Sequence, residues 1–403
     1  MRLKEMLDKG ELLAEKSSWH SLVLPDWEKS IVNLAASVYS SFGAKVKAEP
    51  LKYMNNSFFA DYSRIILLII DALGYYQLIN YGKKELKNLL EMGGELFPLT
   101  SVAPTSTATA LSSVFSARYP GEHGVLGYRL WIKRAGSIIR TLDMSPASAD
   151  YSNLLASSPY LPKYFRLTTP FSQLTVKGIK VYSILPSHVT SHIFSKLTCK
   201  GAKTLSYYTI GGFAENIIQK LKKDEDFVIL GYIDVLDKDL HVFSPDSLAY
   251  KMDLEMILKT LKNIADLAKK VGDTILVVIA DHGGIKVSAQ NVVRLDKMRG
   301  IVRRLKIPPW GESRFAYIKG ESSLKEEFNK LGFRVLTADT ARKMKIFGPT
   351  LRYPERIGDF IVIPEDSRCI IYPYRTKELD FELKGHHGGL LKEEVIVPLI
   401  LFS

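Results

Sequence analysis

Three nearly unbroken apolar runs, in RIILLII (64–70), DFVILGYI (226–233) and TILVVIA (274–280), leave this chain few folds to choose from. Runs of this length without polar alternation read as strands covered on both faces, as in a parallel sheet with helices above and below. KVYSIL (180–185) is a further strand candidate. Between the second and third runs lies an amphipathic helix. Its apolar face runs Leu254, Ile257, Leu258, Leu261, Ile264, Leu267, Ala268, Val271. Strands alternating with helices predict an α/β fold with a doubly wound, mostly parallel sheet, whose ligands sit beyond the carboxyl ends of the strands. Asp71, Asp234, Asp237 and Asp281 fall at those ends.

The 403 residues suit one large α/β domain with insertions. Residues 1–60 read as a helical N-terminal extension, with a break at Leu24-Pro25-Asp26 and a stop at Gly43. Residues 61–289 and 358–403 read as the core, which the chain re-enters through RIGDFIVIP and leaves on VIVPLILF. Residues 290–357, with basic helix-like segments and the loop IPPWGESR, read as a smaller inserted cap. No apolar run approaches the roughly 20 residues of a membrane span. The charged start MRLKEMLDKGELLAEK lacks a secretory apolar segment, so the expected location is cytoplasmic, without a membrane partner. Cys199 and Cys369 make neither a disulfide framework nor a Cys-x-x-Cys metal site. The net charge of +12 comes mostly from dispersed lysines and arginines, which read as solvated faces.

Short polar islands carry the chemistry. They are Asp71 in IILLIIDALG, Thr107 in APTSTATALSSVF, Asp237 and His241 in YIDVLDKDLH, Asp281-His282 in ILVVIADHGG, and His386-His387 in GHHGGL. Taken singly, each has an ordinary reading. A strand-ending Asp can cap a turn, and Thr107 can be a helix N-cap. Asp237 can start a helix beside an incidental His241, and the imidazoles at 386 and 387 can be loop residues. Together they recur at strand ends in an order that lets them converge. Asp237 and His241 stand one helical turn apart, facing the same way. Five of the eight histidines lie in these segments, counting His123 and both His386 and His387. Three carboxylates and three imidazoles suit two divalent ions, Zn²⁺ by preference. Against two such ions they leave about one net positive charge, which attracts an anionic substrate. A Thr at a helix N-terminus sits beside unpaired N–H groups, a natural seat for phosphate.

This set resembles the alkaline phosphatase superfamily, and most closely its type I phosphodiesterase/nucleotide pyrophosphatase family. The resemblance covers roughly residues 64–130, 226–285 and 380–400, and PTSTATALSSVFSARYPGEHGV looks like the nucleophile helix with its Tyr-Pro-x-x-His-Gly sequel. It implies an alkaline phosphatase-like core. Asp71, Thr107, Asp281 and His282 then match the ligands of one zinc, with Thr107 also the nucleophile. Asp237, His241 and His387 match those of the other. The implied reaction is attack by Thr107 on phosphorus, a covalent phospho- or nucleotidyl-threonine, and its hydrolysis with net retention. Counting from Thr107, the family's usual phosphoryl-binding Asn falls on Tyr128. Tyr128 or Arg129 is the substitute, and Pro309, Trp310 and Arg314 are candidate substrate-lining residues of the cap. No Cys begins a Cys-x-Pro-x-Arg motif and the nucleophile is not Ser, which sets aside sulfatases and cofactor-independent phosphoglycerate mutases.

The expected function is hydrolysis of phosphate diesters or nucleotide pyrophosphate bonds in a small phosphorylated substrate, with a nucleotide as the inherited candidate. A phosphomonoesterase or phosphonate hydrolase on the same scaffold is the alternative. A basic nucleic-acid-binding protein with an inactive site is the alternative from another class. It predicts steeply salt-dependent binding and no zinc, and the full set of ligating residues counts against a stable nucleic-acid partner.

Overall fold

The computed structural model describes residues 3–52, 58–155, 158, 164–165, 167–375 and 383–403. Its centre is a seven-stranded sheet in the order Glu95–Thr100, Ile396–Phe402, Thr274–Ile279, Arg64–Ile70, Phe227–Ile233, Lys180–Pro186, Lys203–Tyr207. The last five of these run parallel to one another, and Ile396–Phe402 is antiparallel to both its neighbours. The apolar runs are buried along nearly their whole length, as a sheet covered on both faces requires.

Register decides what happens at the sheet's edge. Arg64 pairs with both Phe227 and Thr274, so the three central strands start level. They also finish level, with Ile70 opposite Ile233 and Ile69 opposite Ile279. Asp71 and Asp234 are therefore the first residues beyond their strands, and Asp281, one residue after Ala280, comes level with them.

The long helix Leu248–Val271 begins at Ser247, whose hydroxyl accepts the Tyr250 N–H at 3.3 Å. Of the expected stripe it buries Leu254, Ile257, Leu258, Leu261, Ile264 and Ala268, but Leu267 is only half-buried and Val271 is exposed. Among the described residues no helix is long and apolar enough to cross a membrane. The N-terminal segment contains the helices Leu3–Lys16 and Ile31–Ser41. The second, capped by Ser30 and Asn33, is almost wholly buried, and its Tyr39 hydroxyl donates to Val114 O at 3.1 Å. It is part of the packing behind Thr107 more than an appendage.

The segment 290–357 is not a self-contained cap. A second seven-stranded sheet runs in the order Phe333–Thr337, Phe360–Pro364, Phe315–Gly320, Leu305–Glu312, Arg129–Ile132, Ser137–Arg140, Ser145–Pro146. It is antiparallel and draws on three separate stretches of chain. Phe360–Pro364, read from sequence as the return to the core, pairs with Phe333–Thr337 and Phe315–Gly320 instead. All five of its residues are buried, and a continuous apolar run says nothing about which sheet receives it.

Arg314 is likewise structural. It lies in the tight turn after Leu305–Glu312, fully buried, and its Nε and Nη2 donate to Glu394 Oε1 and Oε2 at 2.8 and 3.0 Å. Trp310 is buried too, its Nε1 donating to Arg356 O at 2.6 Å, and Pro309 O accepts from the Tyr374 hydroxyl. Arg314→Ala would leave Glu394 buried without its counter-charge. The expected loss is about 3–5 kcal/mol, the range for breaking one side of a buried pair. Urea unfolding measures it, and a wild-type midpoint would show that the pair carries no weight.

Candidate metal centre

Asp71 follows its strand directly, and its N–H donates to Ile233 O at 2.8 Å, extending the parallel ladder by one residue. Its Oδ2 accepts from the Tyr232 hydroxyl. Asp281 Oδ1 accepts the N–H groups of Ala72 and His282 at 3.2 and 2.8 Å. Thr107 opens the helix Thr107–Ser116. Its Oγ1 lies 3.4 Å from Asp71 Oδ2 and 3.2 Å from His282 Nε2. Asp237 and His241 share a face of the helix Val235–Phe243, with Asp237 Oδ1 3.4 Å from His241 Nε2. His387 Nε2 is 3.7 Å from the same oxygen. The rings of His282 and His387 stack with centroids 3.9 Å apart.

The three imidazoles share one hydrogen-bonding pattern. Nδ1 of His241 faces Gly385 O at 2.8 Å, Nδ1 of His282 faces Gly283 O at 3.0 Å, and Nδ1 of His387 faces Thr105 O at 2.9 Å. A carbonyl can only accept, so each Nδ1 carries the proton and each Nε2 keeps its lone pair. All three lone pairs belong to atoms that approach the carboxylates. On the carboxylate side, Asp71 Oδ1, Asp237 Oδ1 and Asp281 Oδ2 are buried without a hydrogen-bond partner. Buried polar oxygens are costly to leave unpaired. Two groups, Asp71 with Asp281 and His282, and Asp237 with His282 and His387, each bring ligand atoms within 4.8 Å of one another. The nitrogen and oxygen donors, the lone pairs and the orphaned oxygens all fit divalent cations.

The electrostatics agree. Burial, reinforced by the charges of Asp281 and Asp237, holds the Asp71 carboxyl well above the usual range. Burial also pushes Asp281 up to about 7. Burial works in the same direction on Asp237, but His241, His387 and His282 outweigh it and pull that carboxyl down. Burial depresses His282 to about 4 and His387 to about 3, so both rings are neutral near pH 7.

The remaining sequence candidates divide. Tyr128 and Arg129 line a cavity of about 290 Å³ together with Thr107, Asp237, His241 and His387. The Arg129 guanidinium sits 5.4 Å over the Tyr128 ring and 5.5 Å over the Tyr374 ring. Arg314 does not line this cavity. His386 has its own partner, with Nδ1 3.0 Å from the Ser313 hydroxyl. His123 is not in the cluster. It is fully buried, bridges the Ser113 hydroxyl at 2.9 Å and the Val125 N–H at 3.0 Å, and braces the turn after the Thr107 helix. Thr105 is occupied by Gly388 N and Gly389 O. Sequence reading passed over Glu312, a cavity-lining carboxyl whose Oε1 accepts the Tyr128 N–H at 2.5 Å. Nothing in GES marks it.

A family model described as type I phosphodiesterase/nucleotide pyrophosphatase matches residues 65–390. The chain belongs to that family. The fold is shared with murine ectonucleotide pyrophosphatase/phosphodiesterase 5, solved as an inactive variant in complex with AMP. That match has 15% identity and a TM-score of 0.60, and covers 84% of this chain and 87% of the other. Phosphonoacetate hydrolase from Sinorhizobium meliloti 1021, in complex with phosphonoformate, is similar at 17% identity and a TM-score of 0.61, covering 84% and 90%. Both neighbours are members of the alkaline phosphatase superfamily. No curated protein matches the chain in sequence.

Two outcomes follow from this geometry. Protons compete with cations for the raised carboxyls of Asp71 and Asp281, while His282 and His387 stay neutral down to their depressed values. Divalent-ion affinity should therefore fall as pH drops from about 7 to about 5, with protons released on binding. Calorimetry in buffers of different ionisation heat measures both, and a flat affinity would contradict the assignment. His387→Ala should lose bound metal while His386→Ala retains it, as metal analysis of the purified variants will show.

Proposed function

We propose that this family member hydrolyses phosphate diesters or nucleotide pyrophosphate bonds through a covalent intermediate on Thr107. The observation that carries this reading is the seat of Thr107. Its hydroxyl is held between Asp71 and His282 at the N-terminus of a ten-residue helix. Asp71, Thr107, Asp281 and His282 would hold one divalent ion, and Asp237, His241 and His387 the other. A nitrogen and oxygen donor set of this kind favours Zn²⁺. When bound, such ions supply Lewis acidity, lowering the pKa of a coordinated hydroxyl and neutralising phosphoryl charge.

The chain's own groups do the rest. Ser106 places no side chain on the first-turn N–H groups of the helix, which leaves them for phosphoryl oxygens. Thr107 Oγ1 attacks phosphorus, the bond to the leaving oxygen breaks, and the group is held as a threonine ester. Water then attacks the same phosphorus and releases the Thr107 oxygen. Two in-line displacements give net retention.

Two cavities meet at Thr107, which favours a substrate with two organic arms. One is the polar cavity already described. The other, of about 60 Å³, is apolar and lined by Leu111, Phe115, Leu142, Leu185 and Phe194 with Thr107. A phosphodiester places one substituent in each. The similarity to phosphonoacetate hydrolase favours a second reading, phosphonate hydrolysis on the same scaffold.

Assays with an aryl diester, an aryl monoester and phosphonoacetate discriminate these readings. Thr107→Ala should lower turnover by several orders of magnitude, and Thr107→Ser should keep measurable activity because it offers an equivalent oxygen. Wild-type turnover in Thr107→Ala would sink the covalent route.

A further inference from the structure

Glu312 stands where the second sheet touches the catalytic loops. It ends the strand Leu305–Glu312, and the next two residues fasten the turn to the His387 loop. Ser313 meets His386, and Arg314 grips Glu394, which in turn accepts the Gly389 N–H at 2.8 Å. The Glu312 side chain packs over Gly388, where a Cβ would lie 2.5 Å from its own Cβ. Gly388 also has φ +109, so no side chain suits that position. The carboxyl accepts the Tyr128 N–H and feels the Ser106 hydroxyl, next to Thr107. It therefore sits between the nucleophile, the turn at Gly127-Tyr128 and the loop of His387. It also lines the same cavity as Thr107.

A carboxylate in the wall of a phosphoryl cavity is unusual company for an anionic substrate. Nothing in the geometry above makes it a metal ligand or gives it a proton to move. Its charge acts across the shared cavity on whatever is bound at Thr107. A diester phosphate carries one negative charge. A monoester or inorganic phosphate carries two at alkaline pH.

We infer that Glu312 is a specificity-determining residue that disfavours dianionic phosphoryl groups and so selects phosphodiesters over phosphomonoesters. This rests on the phosphoester hydrolase reading above. Burial pushes the Glu312 carboxyl up to about 7, so measurements well above that value read its charged form.

The test is Glu312→Gln in zinc-loaded protein at about pH 9, a pH at which glutamate is ionised and glutamine stays neutral. The amide oxygen still accepts the Tyr128 N–H, so the brace survives while the charge is removed. Two quantities are read, kcat/KM for bis(p-nitrophenyl) phosphate and for p-nitrophenyl phosphate, and the calorimetric Kd for inorganic phosphate. Removing one nearby charge should raise the ratio of monoester to diester kcat/KM and tighten phosphate binding, each by about tenfold or more, whatever the change in absolute turnover. Glu312→Ala should shift the ratio in the same direction, with lower turnover on both substrates because the brace is lost as well. An unchanged ratio with unchanged phosphate affinity overturns the inference. An equal fall on both esters in Glu312→Gln also overturns it and makes Glu312 a brace alone. If neither aryl ester is cleaved by wild type, the proposed function fails, and tighter phosphate binding in Glu312→Gln still upholds the charge inference.

Discussion

Two buried carboxyls held level at adjacent strand ends are the constraint on which this structure turns. The central strands keep one register, so the sheet has no freedom to stagger Asp71 and Asp281 apart, while Asp234 beside them is paired outward with Lys238 and His188. Asp237 adds its carboxylate one helical turn further on, and its charge raises both Asp71 and Asp281. Buried carboxylates this close destabilise one another unless protonated or compensated. Burial keeps two of the neighbouring imidazoles, His282 and His387, neutral near pH 7, so there they do not supply charge. They supply lone pairs. A cluster of orphaned carboxylate oxygens and neutral Nε2 atoms is poor packing for a bare protein core and good chemistry for divalent cations.

The support for the cluster comes mainly from the backbone. Carbonyls of Gly385, Gly283 and Thr105 fix the three imidazoles, and two of those carbonyls belong to glycines. A carbonyl has no proton to lose and no rotamer to change, so it fixes the tautomer wherever the ring is neutral. Thr105 does double duty. Its carbonyl orients His387 and its hydroxyl bridges Gly388 and Gly389, so the segment leading to the nucleophile also shapes the His387 loop.

Much of this was legible in sequence, for a physical reason. A strand buried on both faces must be continuously apolar, so the first polar residue after it marks the sheet's edge. Asp71 and Asp281 are such residues, and Asp237 and His241 follow at helical spacing. The second sheet was not legible, because its strands come from 129–146, 305–337 and 360–364, and pairing partners so far apart leave no local trace. Arg314 looked like a substrate-facing cation because its partner, Glu394, lies 80 residues away. His123 sits in a signature segment yet serves packing, since a motif position and a buried brace look alike in one dimension. Glu312 had no signal at all. A lone carboxyl in a glycine-containing turn acquires meaning only when folding sets it beside Ser106, Tyr128 and Gly388.

The two sheets divide the work, and the turn at 312–314 couples them. The central sheet presents Asp71 and Asp281, and its following helices carry Thr107, Asp237 and His241. The second sheet brings Arg129 and Glu312 to the opposite wall of the same cavity. Without a fastening, a wall built from three chain segments would drift relative to Thr107. Three consecutive residues prevent this, with Glu312 on Gly388 and Ser106, Ser313 on His386, and Arg314 on Glu394. The Arg314–Glu394 pair is fully buried and bidentate, which suits a part whose task is geometry more than net stability. Such a wall can change its exposed chemistry through Tyr128 or Arg129 while the fastening at 312–314 and the ligand cluster stay as they are. On the function proposed above, substrate choice falls to the second sheet and phosphoryl chemistry to the central one, joined at one turn.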